Sequence, residues 1–239
     1  MFKKFKNRST EEEIMDDFNL RGEELERTLN VIENINQWLG GDLVLLSGMK
    51  EILPKITDRK SRPITILDAG CGSGDSLRAV ANWNKKRGYV LNLIGLDANE
   101  FTIEIAQKKA VNHPGIQFLA QDIFLENCSF VGVDVVVCGL FMHHLTEEEQ
   151  LSFLQKCFDS DVKVVLVNDL HRHWLGYYLF QLICFLFRVP HMVKYDGSIS
   201  ILKAFKRSDL QSLMHKAGIK NYDLRWRWAF RYQLIAYNK

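Results

Sequence analysis

The feature that most constrains this chain is a short apolar run, Ile64 to Leu67, that passes directly into Asp68-Ala69-Gly70-Cys71-Gly72-Ser73-Gly74. Glycines at alternate positions stop a strand and allow a tight turn. Behind the turn, Leu77, Val80 and Ala81 mark the inner face of a helix over about 76–87. A glycine-rich turn between a strand and a helix lets the backbone approach a ligand closely and aims helix N-terminal N–H groups at it. The same alternation then repeats. An apolar strand over 90–96 is closed by Asp97, and a helix over 101–111 is ended by His113-Pro114-Gly115. Strands follow over 116–119, closed by Asp122, over 133–138, and over 162–167. Thr146 with Glu149 forms a capping box that opens a helix over 147–158. Strands alternating with helices imply βαβ units, so the expected fold is α/β, doubly wound around a mostly parallel sheet.

The ends of the chain read differently. Residues 9–60 read as helical: Ser9 and Glu12 fit a capping box, and Leu25, Leu29, Ile32, Ile35 and Leu39 recur at helical spacing before Gly40-Gly41. This amphipathic segment suits either a flap over a site or a packing helix. Beyond residue 169 the alternation pauses. Trp174 to Phe187 is apolar nearly all round, 188–206 reads as irregular with Pro190 and Gly197, and Ser208 is set to cap a helix ending at Gly218. Residues 222–228 and 230–237 read as a closing pair of strands. Within them, alternation in Arg225-Trp226-Arg227-Trp228-Ala229-Phe230-Arg231 predicts an aromatic core face and a basic solvated face.

Composition bounds the function. A chain of 239 residues, 47% hydrophobic and 25% charged, can bury a sizeable core without staples. A formal net charge of +2 gives no reason to expect a nucleic-acid partner. The five cysteines (Cys71, Cys128, Cys138, Cys157 and Cys184) lie in apolar runs without metal or redox spacing. They read as reduced, which predicts a cytoplasmic protein. No signal-peptide core follows the basic start of the chain, and the apolar run from Trp174 is too short to span a bilayer. That run together with Lys3, Lys4 and Lys6 leaves open a peripheral contact with a membrane surface. Oligomeric state is not legible.

Four features fall, in order, at the carboxyl ends of the expected strands, where open α/β sheets place their ligands. The first is the glycine loop. The second is Asp97, 25 residues beyond Gly72, roughly the spacing at which a carboxylate meets ribose hydroxyls in dinucleotide folds. The third is Asp122 with Ile123, a carboxylate that could accept an adenine amine beside an apolar side chain. The fourth is the segment Asp134 to Leu145, which ends in Gly139-Leu140-Phe141-Met142-His143-His144.

With these motifs in this order, the chain resembles the class I S-adenosylmethionine-dependent methyltransferases over about residues 63–239. The third glycine follows the second after one residue, and an acid precedes the loop; both details depart from the dehydrogenase pattern. The resemblance implies a seven-stranded sheet with an antiparallel last strand and S-adenosyl-L-methionine as cofactor. It implies Asp68, Gly70, Gly72 and Gly74 around the amino-acid part of that cofactor. Asp97 with Ala98 would lie at the ribose, Asp122 with Ile123 at the adenine, and Gly139 with Phe141 at the sulfonium end. It divides the chain into a helical cap segment, 1–60, and a methyltransferase domain, 61–239, with a substrate-pocket insertion at about 170–206.

Motifs of several subclasses are absent. No Asn/Asp-Pro-Pro-Tyr/Phe segment follows the fourth strand, Cys138 has no neighbouring proline, and Asn168-Asp169 reverses the order of the metal-binding pair of catechol-type enzymes, so no metal is expected. The surroundings of His143-His144 resemble those of quinone and natural-product methyltransferases. The expected partner is therefore a small, apolar or aromatic acceptor, methylated on oxygen or carbon. If the acceptor is a hydroxyl, a nearby base helps by taking its proton, and histidine suits this near neutral pH. His144 and His171 are the candidate catalytic residues, with Asp169 as a group that could orient an imidazole. The competing readings are a non-catalytic S-adenosylmethionine-binding module and an RNA methyltransferase.

Overall fold

A computed structural model describes residues 3–56 and 62–238. The expected junction between cap and domain, at residues 60 and 61, lies outside the described residues. Two helices come first, α1 (Glu23–Trp38) and α2 (Gly41–Ile56). The alternating body follows: β1 (Ile64–Ala69), α3 (Asp75–Asn84), β2 (Leu91–Asp97), α4 (Glu100–Lys109), β3 (Ile116–Ala120), β4 (Val135–Gly139), α5 (Glu147–Asp159) and β5 (Val164–Leu170). The chain closes with α6 (Trp174–Leu186), α7 (His191–Lys203), α8 (Arg207–Lys216), β6 (Tyr222–Arg227) and β7 (Arg231–Tyr237).

The sheet has seven strands in the order β3-β2-β1-β4-β5-β7-β6. Neighbours from β3 to β5 are parallel, and β7 runs antiparallel to both β5 and β6. The two faces are covered separately. On one, Val136, Cys138, Val165 and Leu234 pack with Phe153 and Leu213, from α5 and α8. On the other, Ile66, Val135, Leu166 and Ile235 pack with Met49, Ile52 and Leu53 of α2 and Leu77 of α3. Burial from both sides is why β4 and β5 are almost wholly apolar. All five cysteines are free and buried. Among the described residues, no helix is long and apolar enough to cross a membrane.

Four expectations are corrected. Residues 9–22 do not form a helix; only Ile14–Asp16 makes one 3-10 turn. Ser9 accepts the Glu11 N–H at 3.2 Å and forms no capping box with Glu12. The cause is tertiary: the Asp196 carboxylate accepts the Ile14 and Met15 N–H groups at 2.8 and 3.1 Å, holding the segment extended along α7. Second, 191–203 is a helix rather than irregular. Pro190 stands at its N-cap, and Gly197 sits inside it because α6 comes so close that a Cβ there would lie 2.4 Å from Phe180 Cζ. Third, the aromatic stripe of 225–231 is no core face. Trp226 and Trp228 are exposed, whereas Arg225 binds Glu51 of α2 at 2.5 Å. The basic side of this edge strand is the one tied to the body. The cap of α8 is Lys206, whose N–H is taken by Asp209, and not Ser208.

Candidate active site

The carboxyl ends of β1, β2, β4 and β5 open into one cleft of about 1490 Å³. Drug-sized ligands occupy roughly 300–1,000 Å³, so this cleft has room for two. Its floor is the turn between β1 and α3. Gly70, Gly72 and Gly74 all have positive φ, of 68°, 51° and 75°, a backbone that side chains rarely adopt. At Gly70 the Phe141 ring comes so near that a Cβ would lie 2.2 Å from it. Gly74 is different: it faces Phe118 and Ala106 rather than the cleft, and its left-handed backbone turns the chain into α3. The other residues expected at a cofactor do line the cleft, namely Asp68, Gly70, Gly72, Asp97, Ala98, Asp122, Ile123, Gly139 and Phe141.

The carboxylates are held in different states. Asp97 Oδ2 accepts the Gly72 N–H at 3.0 Å and Oδ1 that of Asn99 at 3.0 Å, so it fixes the turn while keeping lone pairs for a ligand. Burial raises its pKa against those two bonds. Asp122 Oδ1 accepts the Phe124 N–H at 2.9 Å. Asp68 is 1% exposed, and its Oδ1 has no hydrogen-bond partner. Burial, with Asp75 and Asp97 nearby, pushes its pKa well above the usual carboxylate range. A buried carboxylate without a partner is costly, and a cationic ligand would relieve it.

The N-terminal segment closes over this floor. Glu33 of α1 reaches Ser73 of the turn at 3.0 Å, Arg78 of α3 at 2.5 Å and Lys109 of α4 at 2.6 Å. Arg8 donates to the carbonyls of His143 and Leu145 at 2.7 and 3.0 Å. Lys203 of α7 binds Asp16 at 2.9 Å.

Four histidines lie at the ends of β4 and β5, and their partners separate them. His143 Nδ1 meets Asp169 Oδ1 at 2.7 Å; burial would raise the Asp169 pKa, but the His143 ring and its hydrogen bond hold it below its ordinary value. His143 is 2% exposed, with Nε2 unpartnered. His144 Nδ1 meets Asp16 Oδ1 at 2.7 Å. A carboxylate can only accept here, so Nδ1 carries the proton and Nε2 of the neutral ring is bare. His144 lines the cleft and is partly accessible. His171 is arranged the other way round. Its Nδ1 accepts the Trp226 indole N–H at 3.2 Å, which leaves the proton on Nε2 and suits a donor better than a base. Burial, then His173 and Arg172, lower its pKa to about 4. His173 caps α6 through the Leu175 N–H.

Glu13, His143 and His144 bring three ligand-type atoms within 4.8 Å. The Lys203 ammonium lies 3.5 Å from Glu13 Oε1, and His144 Nδ1 is already bonded to Asp16, so these atoms are not assigned to a metal. Sequence reasoning missed Glu13, Asp16, Glu33 and Lys203, because nothing in an acidic run or a lone lysine marks a long-range partner.

Comparison with known proteins agrees with this geometry. Residues 66–160, which carry the turn, Asp97, Asp122 and His144, match the family model of a methyltransferase domain. This part of the chain is a methyltransferase domain. The chain's fold is similar to that of the magnesium protoporphyrin IX methyltransferase of Synechocystis, solved with S-adenosylhomocysteine (19% identity, TM-score 0.55, 84% of each chain covered). It is also similar to the plantazolicin methyltransferase, solved with the same compound (16% identity, TM-score 0.62, 90% of this chain and 96% of that one). A third likeness is to the CMeT domain of the citrinin polyketide synthase (15% identity, TM-score 0.58, 78% of this chain and 49% of that one). At these identities the structural likeness speaks for the fold alone.

The His171 environment has a pH consequence. A histidine with a folded pKa near 4 binds fewer protons than its unfolded form between about pH 6.5 and 4, so it removes stability as pH falls through that window. Wild-type protein should therefore lose more unfolding free energy between pH 7 and 5 than His171→Gln, by denaturant titration at both pH values. Equal losses would contradict the buried, neutral ring.

Proposed function

We propose that the methyltransferase transfers a methyl group to oxygen or carbon of a small, apolar, aromatic acceptor, with the cofactor lying along the ends of β1, β2 and β4. The observation that carries this reading is the Asp68 carboxylate, buried at the cleft floor with Oδ1 unbonded. An ammonium such as that of the methionine part of the cofactor suits it. Gly70 and Gly72 admit the same part closely. Asp97, with Ala98, accepts the ribose hydroxyls with its remaining lone pairs. Asp122 and Ile123 receive the adenine, and Gly139 and Phe141 flank the sulfonium end.

When bound, the cofactor supplies a methyl group already activated on a positive sulfur. The chain's own residues then align the acceptor and remove one proton from it, whether the new bond is to oxygen or to carbon. His144 takes that proton on Nε2, and Asp16 holds its ring and stabilises the imidazolium that forms. His171 donates from Nε2 at the acceptor side. The acceptor wall is the inner face of α6 (Gly176, Leu179, Phe180 and Ile183) with Trp228 and Phe230, all lining the cleft. These side chains are apolar, which supports an apolar acceptor.

The outer face of α6 supports a peripheral contact with a membrane from which such an acceptor could enter. Leu182, Phe185, Leu186 and Phe187 are exposed, and α6 carries no charged residue. Lys3, Lys4 and Lys6 are exposed too, and Lys4 Nζ lies 3.6 Å over the Tyr177 ring of α6, which brings positive charge to an anionic lipid surface.

Two measurements test these readings. In calorimetry, S-adenosylhomocysteine should bind, and Asp97→Asn should weaken it by about 10-fold or more. His144→Gln should leave that affinity unchanged while lowering kcat by roughly 10²–10⁴. No binding of the compound by the wild type would sink the enzyme reading, whereas binding without any turnover across aromatic acceptors would favour a non-catalytic module. In co-sedimentation, vesicles containing phosphatidylserine should capture the protein, less so at high salt and less so for Phe185→Ser. Equal recovery with and without vesicles would rule out the membrane contact.

A further inference from the structure

Arg231 stands at the cleft with buried donors that no acceptor fills among the described residues. It is the first residue of β7, opposite Leu170 of β5 and Arg227 of β6. Because β7 is antiparallel, its start lies at the same edge of the sheet as the carboxyl ends of the parallel strands. Along β7, side chains alternate between the two faces. Arg231 therefore shares a face with Gln233, which binds the Val44 carbonyl and the Ser47 hydroxyl of α2 at 2.7 and 2.9 Å, and with Ile235. That places it at the N-terminal end of α2, where Gly41 also lines the cleft.

Arg231 lines the cleft and is 2% exposed. Its Nε and Nη1 are buried without any hydrogen-bond acceptor, and among the described residues no carboxylate lies within ion-pair distance of it. Asp169, Asp42 and Asp75 act on it only from further away, and burial outweighs them, lowering its pKa to about 10. The guanidinium therefore stays protonated at neutral pH. A buried cation with unfilled donors is expensive to keep. The fork of Nε–H and Nη–H groups matches one ligand type best: a carboxylate, gripped by two parallel hydrogen bonds. Asp75, which lines the cleft, and Asp42, next to Gly41 at the start of α2, are pushed above their ordinary values, Asp42 to about 6, first by burial and then by other acids close by. An anion seated at Arg231 thus has one cationic partner and acidic neighbours around it, which favours a group that brings its own positive charge or reaches the guanidinium alone.

We infer that Arg231 is a carboxylate-binding residue, its buried donors left open for a ligand. The inference rests on the cofactor reading above where the carboxylate is that of the methionine part, and stands apart from it where the carboxylate belongs to the acceptor. The chemistry is the same in both cases, and the sources can be told apart.

The test compares wild type with Arg231→Met and Arg231→Gln by calorimetry, using four probes. S-adenosylhomocysteine carries the carboxylate, its decarboxylated analogue lacks only that group, and 5′-methylthioadenosine lacks the whole amino-acid part. The fourth, 4-hexylbenzoate with 4-hexylbenzamide as its neutral control, is titrated into protein with and without S-adenosylhomocysteine. If the cofactor is the source, the variants bind S-adenosylhomocysteine about 30-fold or more weakly and the decarboxylated analogue as well as wild type does. If the acceptor is the source, the variants keep both adenosyl ligands and lose the benzoate, with the benzamide unaffected. The inference is overturned if the variants bind every probe as wild type does, or weaken the two homocysteine-type ligands equally. Failure of the wild type to bind even 5′-methylthioadenosine would overturn the cofactor reading, and the benzoate arm would then decide Arg231 alone. Thermal melting without ligand supplies a readout that a structural arginine would move the other way. Because Arg231 Nε and Nη1 have no hydrogen-bond partner among the described residues, both variants should melt at or above the wild-type temperature, and a clear fall would show that the residue serves the fold.

Discussion

The architecture of the cleft depends on one reversal of the backbone, between Ala69 and Asp75. Three left-handed glycines let β1 end, turn and feed α3 within a few residues. The turn cannot hold itself. Asp97, on the neighbouring strand, accepts the Gly72 N–H, and Glu33, from a helix that precedes the sheet, reaches the Ser73 hydroxyl and the Arg78 guanidinium. The carboxylate that suits a ribose is therefore also the one that fixes the loop. This shared use makes the spacing between the glycine loop and Asp97 a constraint of the fold as well as of the ligand.

A second constraint is charge burial. Asp68 and Arg231 line the cleft almost out of water, each missing hydrogen bonds, and Asp97 and Asp75 line it half-buried. A fold selected for stability alone would pair or remove such groups. Their presence along one sheet edge, beside a cleft large enough for two ligands, supports the proposed binding site. The N-terminal segment adds the roof. Residues 8–16 are tied to α7 and to the turn after β4, which places Asp16 and Glu13 beside His144.

Much of this was legible in the sequence. Strand-helix alternation, the glycine turn and the acids that close the second and third strands give the sheet and its functional edge, because all are local patterns. What was not legible depends on contacts between distant residues. Residues 9–16 carry helix-forming glutamates, yet Asp196, about 180 positions away, takes their backbone N–H groups instead. Gly197 reads as a breaker and is a packing glycine within a helix, since only the position of Phe180 reveals why no side chain fits. The stripe of Trp226 and Trp228 alternates as a core strand would, but it lies at the sheet edge beside the cleft mouth. His144 and His171 were equivalent as letters. Their hydrogen-bond partners, Asp16 and Trp226, put the mobile proton on different nitrogens, Nδ1 in His144 and Nε2 in His171.

S-adenosylmethionine is proposed to lie along the ends of β1, β2 and β4, its ammonium at the unbonded Asp68 Oδ1. The most direct measurement is a crystal structure with S-adenosylhomocysteine bound. The account predicts the ammonium within hydrogen-bonding reach of Asp68, the ribose on Asp97 and the adenine between Asp122 and Ile123. Density for the ligand elsewhere in the cleft, with Asp68 and Asp97 still facing no ligand atom, would contradict it.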